Sequence, residues 1–560
     1  MKTIKYNIFI LACFALSLIA CNEDERLKEV PYDFYSPENS FVTKADFGLA
    51  INRLYWQVRS TYWSIEDCYF GQRHGNDFAF QGTDVNGALN NYKVAMIPTN
   101  SNASSTWTNH FKIIYDANTI ISRVDASFSK VEEADRPLIK AEAMFFRAYA
   151  YSVLGHLFGG VPVLKEEVAA PRRDYVRDTR ENVYAFCIED LEEAVRLLPD
   201  IDKTTDGKVS KQAAQHLLSE MYICVKQWDN AINAASQVIN YSAMGLMKDR
   251  FGNYKDKEGD VYWDMFRRNN QNRKNSGNTE TIWTLQYDYN NAGSRTGANW
   301  NWAITPVYTS LVIDGIPLFE SWTNKKGGNP LGWLRPTSFF FYELWGEDIG
   351  KDIRNSAHNM LRDIRIDNPK SDYFGKWLVK DGINKNSQLD TIQNWFPIMT
   401  KTFWIYDYPA AMYNNTSAGD TTAFGERRVS GDIVNLRIDE YVMRLAETYL
   451  LRAEAYIGKG SLDLALADVN ELRSRAQATP ATISDMNIDY ILDERLRELY
   501  IEEKRTATLC RLGKLVERCK KYNIRSGATI EEYHNLWPIP YSEIERNSQA
   551  VLEQNTGYVN

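Results

Sequence analysis

One stretch constrains the fold of this chain more than any other, residues 438–476, which read IDEYVMRLAETYLLRAEAYIGKGSLDLALADVNELRSRA. From Val442 onward, apolar residues recur at every third or fourth position, which predicts an amphipathic helix. Gly458 and Gly460 then interrupt the pattern, as the C-cap and turn of a helix do. The period returns from Leu462 and predicts a second helix. Because neither helix buries its apolar face alone, we expect the two to pack as an antiparallel hairpin.

Two more helix pairs are predicted upstream, in residues 141–198 and 210–240. In the second pair, Trp228 at the turn is followed by Ala231, and small alanines also recur in the hairpin near the C-terminus. This order of aromatic and small residues resembles the tetratricopeptide unit, which is itself a helix pair. Long insertions separate the three pairs. The sequence therefore predicts a mainly α fold, in which tetratricopeptide-like hairpins form a scaffold.

Two long segments lack helical periodicity, residues 64–106 and residues 248–433. Both are rich in Gly, Asn and Asp, and the second contains only short apolar alternations, such as Thr281–Leu285, that predict small strands at most. Long irregular segments in a compact protein usually carry function. We therefore expect these loop-rich segments to form the ligand face of the scaffold.

Aromatic residues are concentrated in the second irregular segment. Nine of the 15 tryptophans lie between positions 283 and 404, and in Asn299–Trp302 they alternate with asparagine. We expect most of these rings to fill the core of an irregular region. Rings flanked by amides also suit a sugar, which stacks its apolar C–H face on the ring and hydrogen-bonds through its hydroxyls.

The charge balance argues against a nucleic-acid partner. The formal net charge is −8, and no run of Lys and Arg occurs. Neutralising a phosphate backbone requires basic stripes, which this chain lacks.

The N-terminus has the pattern of a targeting segment. Lys2 and Lys5 precede an apolar run at 8–19, which is too short for an ordinary transmembrane helix. The run ends in Ala20–Cys21, which resembles a bacterial lipobox, so we predict that Cys21 is lipidated after removal of residues 1–20. The acidic residues that follow resemble the surface-export signal of Bacteroidetes lipoproteins. An acyl anchor would hold the protein at a membrane.

These patterns predict one compact lobe with a defined order of segments. The predicted segments are a signal peptide (1–20), a tether (21–40), an N-terminal scaffold (41–247, with the excursion 64–106), an aromatic-rich ligand-binding region (248–433) and a C-terminal helical scaffold (434–560).

No catalytic or metal-binding motif is recognisable. The chain has seven cysteines, of which Cys13 lies in the segment predicted to be removed and Cys21 is the predicted lipidation site. The other five form no C-x-x-C pair, which argues against a zinc site or a disulfide framework. Glu494, Glu498 and Glu502 share one face of a helix predicted over 491–519, where ion pairs with neighbouring arginines are favoured over catalysis. The acidic loop Asp256–Asp260 is a weak candidate for structural Ca²⁺, but it lacks the length and closing Glu of an EF-hand. We therefore predict no cofactor.

Several segments, in this order, are similar to the RagB/SusD family of outer-membrane nutrient-binding lipoproteins of Bacteroidetes. Besides the lipobox at Cys21, the matching segments are AEAMFFRAYAY…LFGGVP (141–162), YVMRLAETYLLRAEAY (441–456), 466–476, ERLRELYIEEKR (494–505), RLGK (511–514) and WPIP…QNTGY (537–558). The resemblance implies an α-rich lobe of tetratricopeptide-like pairs with a variable, loop-rich ligand face. It also implies a partner, a TonB-dependent outer-membrane barrel of the SusC kind. The matching segments lie on the scaffold, so they identify no binding residue.

We therefore predict a non-catalytic, surface-exposed lipoprotein that captures oligosaccharide and delivers it to a SusC-like transporter, with a peptide as another possible nutrient. The predicted ligand-binding residues come from the two irregular segments: Arg73, Asp77 and Asn90 from the first, and Trp300, Trp302 and Trp322 from the second. Two alternatives remain open at this point. One is a surface glycoside hydrolase, which requires two carboxylates about 5–10 Å apart across a cleft. The other is a tetratricopeptide assembly lipoprotein that binds other proteins and no sugar.

Overall fold

The computed structural model describes residues 40–63, 70–85, 87–288, 291, 303–392, 394–402, 408, 410–414, 419–430 and 438–559. Within these ranges the longer helices are α1 (Lys44–Trp63), α2 (Ser101–Arg123), α3 (Arg136–Phe158), α4 (Arg180–Leu197), α5 (Lys211–Cys224), α6 (Trp228–Ile239), α7 (Leu445–Lys459), α8 (Leu462–Arg475), α9 (Ile488–Leu499), α10 (Arg505–Arg511) and α11 (Leu515–Tyr522). Short helical segments are Phe70–Arg73, Tyr92–Ala95, Val261–Asp264, Arg273–Ser276, Ser338–Phe341 and Tyr541–Arg546. The strands are β1 (Ala79–Gln81), β2 (Thr281–Leu285), β3 (Val312–Ile313), β4 (Ile316–Pro317), β5 (Leu334–Pro336) and β6 (Glu440–Arg444).

The helices pack in sequence, each against its neighbour, from α1 to α6 and again through α7 and α8. The three predicted hairpins are confirmed as the pairs α3–α4, α5–α6 and α7–α8. Helix α3 is buried along most of its length because α2 and α4 both pack on it. No helix within the described ranges is long and apolar enough to cross a lipid bilayer.

Local signals explain where several helices begin. The side chains of Thr179 and Ser210 accept hydrogen bonds from backbone amides in the first turns of α4 and α5. Asn100 caps α2 in the same way, through a 2.8 Å bond from the Ala103 amide. Helix α2 therefore begins at Ser101, inside the segment that the sequence predicted to be irregular through residue 106.

The α7–α8 hairpin differs from its prediction at one end. Val442 lies on strand β6, and the helix begins only at Leu445. Strand β6 pairs antiparallel with β2, so long-range pairing overrides the local helical period. At the other end, Gly460 caps α7 in the left-handed conformation at φ +83°. Gly458 lies within α7, where a side chain would collide with the Trp228 ring that packs against it.

The predicted helix over 491–519 is instead three helices, α9, α10 and α11. Helix α9 ends before Ile501, whose φ of +72° is incompatible with a continuous helix. A second break occurs at Gly513, with φ +65°. The breaks turn the chain so that Cys519 packs beside the Gly75 carbonyl, while Cys510 lies elsewhere in the core. Both cysteines are free thiols.

A buried ionic network joins these helices to the irregular region. Glu498 accepts bonds from three arginines that belong to three other elements of the chain, Arg354, Arg444 and Arg475. Its neighbour Glu494 is equally buried and pairs with Arg354 at 2.8 Å. The prediction of ion pairs is confirmed, but their partners come mostly from distant segments rather than from the same helix face. The network therefore fixes tertiary structure.

Candidate functional site

A groove of about 720 Å³ lies where strands β1 and β5, a loop at 390–397 and the end of α11 meet. This volume lies within the usual range for small-ligand sites. The aromatic side chains that line the groove are Phe80, Phe339, Phe341, Tyr342, Trp395, Phe396 and Tyr522. The charged side chains that line it are Arg335, Glu343, Asp390, Lys520, Lys521 and Arg525. The groove therefore combines broad aromatic surfaces with polar groups at its edges.

One wall of the groove is the antiparallel pair of β1 and β5, in which Phe80 lies opposite Arg335. The Arg335 guanidinium lies 5.8 Å from the Phe80 ring and 5.5 Å from the Phe396 ring. It also donates a 3.0 Å hydrogen bond to the carbonyl of Ile392. Arg335 thus ties the strand pair to the loop on the other side of the groove.

A second wall follows directly after β5. Thr337 caps the short helix Ser338–Phe341 by accepting a bond from Phe340, and its hydroxyl donates a 2.8 Å bond to the Asp77 carbonyl. On this helix Phe339 stacks on Tyr522 of α11, with ring centroids 3.6 Å apart. The stack joins the short helix to the C-terminal scaffold. Tyr342, which directly follows this helix, is half exposed.

The loop at 390–397 presents polar groups beside its aromatic rings. Trp395 is partly buried against an apolar cluster, and its indole N–H is shielded from solvent. Neither this N–H nor the side-chain oxygen of Asn394 has a hydrogen-bond partner within the described ranges. A buried donor and a buried acceptor without partners carry a free-energy cost.

The electrostatics of the groove are distinctive. Among the described residues, no carboxylate lies within ion-pair distance of Arg335 or Arg525. Burial and, to a smaller degree, the nearby charge of Arg525 lower the pKa of the Arg335 guanidinium to about 10. Two cations in the lining of the same groove thus lie close enough to repel each other.

Three of the predicted ligand-binding residues lie inside the protein. Arg73 is fully buried and donates to the backbone carbonyls of Ile501 and Glu502. Asn90 is almost fully buried and bonds to both backbone groups of Gln81. Side chains in these positions hold the chain around β1 in place and present no surface to a sugar.

Asp77, the third of these residues, is fully buried between α10 and α11. It accepts 2.6 Å bonds from both Arg505 and Arg518. Although burial alone would raise its pKa, the two guanidinium groups outweigh burial and lower the pKa of Asp77 to about 2. Asp77 therefore anchors the first irregular segment to the C-terminal helices, directly beside the groove wall.

Of the three tryptophans predicted to bind the ligand, the structure describes only Trp322. Trp322 is partly buried against Tyr408, Met412 and Val429, and it is not among the residues that line the groove. Trp300 and Trp302 lie outside the described residues, as does Cys21. Their predicted roles stay predictions.

Sequence reasoning missed the side chains that line the groove. Trp395 was counted only within the aromatic enrichment, and Phe80 was not singled out although it lies in the first irregular segment. Arg335 and Arg525 stand in no motif. The one usable signal was the pairing of aromatic and amide residues in Asn394–Trp395, which repeats the pattern of Asn299–Trp302.

Two other cavities differ in whether they could admit a sugar. One, of about 70 Å³, lies inside the scaffold around His156 and Lys504 and is smaller than a sugar ring. The other, of about 400 Å³, lies beside α1, where Trp56 is exposed. Among the described residues, no group of three or more His, Cys, Asp or Glu side chains is placed to hold a metal ion. Asp260, from the acidic loop, caps the short helix Val261–Asp264 and bonds to Asn359.

The fold and the groove define a class, that of an α-rich scaffold carrying a ligand groove on its irregular face. The SusD family model matches residues 279–558, and a second model, described as starch-binding and associating with the outer membrane, matches residues 36–223. The chain belongs to the SusD family, whose members bind glycans without catalysing their cleavage. The family resemblance found in the sequence is confirmed.

Individual relatives agree with this assignment. A SusD-like protein of Formosa agariphila is 25% identical, and the match covers 99% of each chain. The starch-binding protein SusD of Bacteroides thetaiotaomicron is 36% identical over 121 residues, 21% of each chain. The surface glycan-binding protein A of the same species, solved in complex with laminarihexaose, superposes with a TM-score of 0.65 at 18% identity, covering 92% of this chain and all of that one.

Proposed function

We propose that this protein captures oligosaccharides in the groove between β5, the loop at 390–397 and α11. The observation that carries the proposal is the combination of the half-exposed Tyr342 ring and the partly exposed Trp395 ring with the charged and amide side chains that line the same groove. A pyranose ring stacks its C–H face on an aromatic ring, while its hydroxyls bond to the accessible polar groups that line the groove. The relatives named for starch binding and solved with laminarihexaose support an oligosaccharide as the ligand class.

The proposed binding is weak and reversible at each sugar. A single stacked ring contributes modestly, and association has its own entropic cost. Affinity therefore rises with chain length, as more sugar units occupy the groove. Such binding suits a protein that must release its cargo.

We further propose that the captured sugar passes to a SusC-like, TonB-dependent barrel in the outer membrane. The supporting observations are family membership and the match to a model described as associating with the outer membrane. In this proposal Cys21 carries the lipid anchor, and the protein faces the outside of the cell. Co-purification of a barrel protein with the tagged lipoprotein, and its loss on Cys21→Ser, tests the anchor and the partner together.

Affinity electrophoresis against a polysaccharide panel, with calorimetry on each hit, tests the binding site. We expect Trp395→Ala to weaken binding about tenfold, equivalent to about 1.4 kcal/mol. Tyr342→Ala is a second test that leaves the core intact, because that ring is half exposed. Trp377→Ala is the matched control, since Trp377 is 40% exposed and does not line the groove. Unchanged affinity in both groove variants would overturn the proposed site.

The predicted contacts at Trp300, Trp302 and Trp322 remain part of the proposal and enter the same panel as single alanine variants. A loss of binding there would extend the ligand face beyond the groove. Retardation by no glycan at all would contradict capture, and release of reducing ends during incubation would indicate a hydrolase.

A further inference from the structure

We infer that the groove selects acidic oligosaccharides, those carrying uronate carboxylates or sulfate esters, over neutral ones. This inference rests on the proposed function and names its substrate class. Its basis is a surplus of positive charge in the groove, with two guanidinium groups that have no carboxylate partner among the described residues.

The charge of the groove lining is opposite in sign to the net charge of the whole chain. Four cations line it, Arg335, Lys520, Lys521 and Arg525, against the two carboxylates Glu343 and Asp390. The chain as a whole is acidic, at −8. A local cationic surface in an acidic protein attracts anions and raises their rate of encounter.

Arg335 is held in place with most of its donors unused. One nitrogen, Nη1, bonds to the Ile392 carbonyl, and the rings of Phe80 and Phe396 flank the guanidinium. A guanidinium has five N–H donors, so donors remain for a ligand. Its planar fork matches a carboxylate or a sulfate in a two-point contact.

Among the described residues, the Arg525 guanidinium has fewer hydrogen-bond partners than that of Arg335. In the part of the chain that the structure describes, its guanidinium has neither a carboxylate nor a carbonyl partner, and its bonds are those of its backbone, to Asn523 and Ala528. Its charge also contributes to the lowered pKa of Arg335. An anion between the two groups would satisfy both and relieve their repulsion.

The aromatic lining favours a glycan over other polyanions. The partly exposed rings of Tyr342, Trp395 and Tyr522 line the groove together with the cations. An acidic sugar offers both features at once, because its ring stacks while its acid group meets a guanidinium.

The test compares matched pairs of ligands that differ only in charge. The pairs are oligogalacturonate with its methyl ester, and dextran sulfate with dextran, titrated into the purified protein by calorimetry. We expect at least one acidic member to bind about tenfold tighter than its neutral partner, as one charge-assisted contact would give. The preference should fall as salt rises.

Arg525→Gln should abolish this preference, and Arg335→Gln should reduce it, each measured as the ratio of the affinities for the acidic and the neutral member of one pair, because a general loss of binding lowers both affinities alike. Arg196→Gln is the control, since Arg196 forms an exposed pair on α4 away from the groove.

Equal affinity for acidic and neutral partners, or a preference that survives both groove variants, would overturn the inference and leave glycan capture standing. Equal binding of poly-glutamate would also overturn it, because the groove would then be a general polyanion site. Failure of every glycan would contradict the proposed function itself.

Discussion

Two regions of this protein use arginine in opposite ways. In the scaffold, Arg354, Arg444 and Arg475 surround the buried carboxylate of Glu498. In the groove, Arg335 and Arg525 have no carboxylate within ion-pair distance among the described residues. A charge removed from water requires an opposite charge or strong hydrogen bonds. The scaffold supplies them from within the chain, whereas the groove leaves them for a ligand.

The comparison separates residues that hold the site from residues that form it. Asp77 and Asn90 have the polar character of sugar-binding residues, yet both are buried and bonded within the protein. Trp395 and Arg525 are in the groove and have unused hydrogen-bonding capacity. Substitutions in the first group should reduce stability first, and those in the second group should reduce binding first.

The largest expected effect on the free energy of unfolding is that of Glu498→Gln. Glu498→Gln leaves three buried guanidinium groups around a neutral amide, so we expect the free energy of unfolding to fall by about 3–5 kcal/mol. Urea denaturation followed by circular dichroism measures the change. Glu193→Gln is the control, because its pair with Arg196 is exposed and should contribute less than about 1 kcal/mol. Similar values for the two variants would contradict the assignment of the network to stability.

Acid should destabilise the scaffold through the same pairs. The folded-state pKa of Asp77 is about 2 against an ordinary value of 3.8, and that of Glu494 is about 2 against 4.5. For each, burial raises the pKa, but the neighbouring arginines outweigh it. Because the folded values are depressed, this stabilisation is fully present above about pH 5 and is lost as the pH falls towards 2. Urea midpoints over this range should drop less in Asp77→Asn than in the wild type, and an equal drop would count against the assignment.

Asn90 holds the segment that carries Phe80, so its substitution should change both stability and binding. Asn90→Ala removes three hydrogen bonds that hold the chain after β1, at a cost of about 1–3 kcal/mol. Loosening this segment displaces Phe80 from the groove wall, so glycan affinity should also fall. Thermal unfolding and calorimetry give the two readouts. Asn233→Ala, at an exposed position of α6, should change neither. Unchanged glycan affinity in Asn90→Ala would show that the segment held by Asn90 does not position the binding site.

The smallest expected effect on stability is that of Arg525→Gln. Its guanidinium makes no bond within the described part of the chain, so the free energy of unfolding should change by no more than about 0.5 kcal/mol. Thermal unfolding of the variant checks this value. A loss comparable to that of Glu498→Gln would show that Arg525 belongs to the scaffold and would remove the basis of the comparison.

The scaffold was predictable because its signals are local and periodic. The apolar period predicted a helix pair in residues 141–198, for instance, and the structure has α3 and α4 there. The errors arose where distant segments decide the structure. Val442 fits a helical period, but pairing with β2 makes it a strand residue. The break at Ile501 leaves no clear trace in the sequence, because a β-branched residue in that backbone conformation is not expected.

The groove was less predictable because it is assembled from four distant segments. Phe80, Arg335, Trp395 and Tyr522 are separated by tens to hundreds of residues and share no motif. Composition correctly indicated aromatic residues in the irregular region, but not which of them would be exposed. Asp77 shows the reverse problem, since an acidic residue in a loop-rich segment gives no sign that two distant arginines bury it.

A crystal structure with the tightest-binding oligosaccharide of the panel tests the central claim most directly. We predict a sugar ring stacked against Trp395 or Tyr342, with its polar groups near Asn394 and Arg525. A sugar bound elsewhere, for example beside Trp56 or Trp322 with the groove empty, would contradict the proposed site.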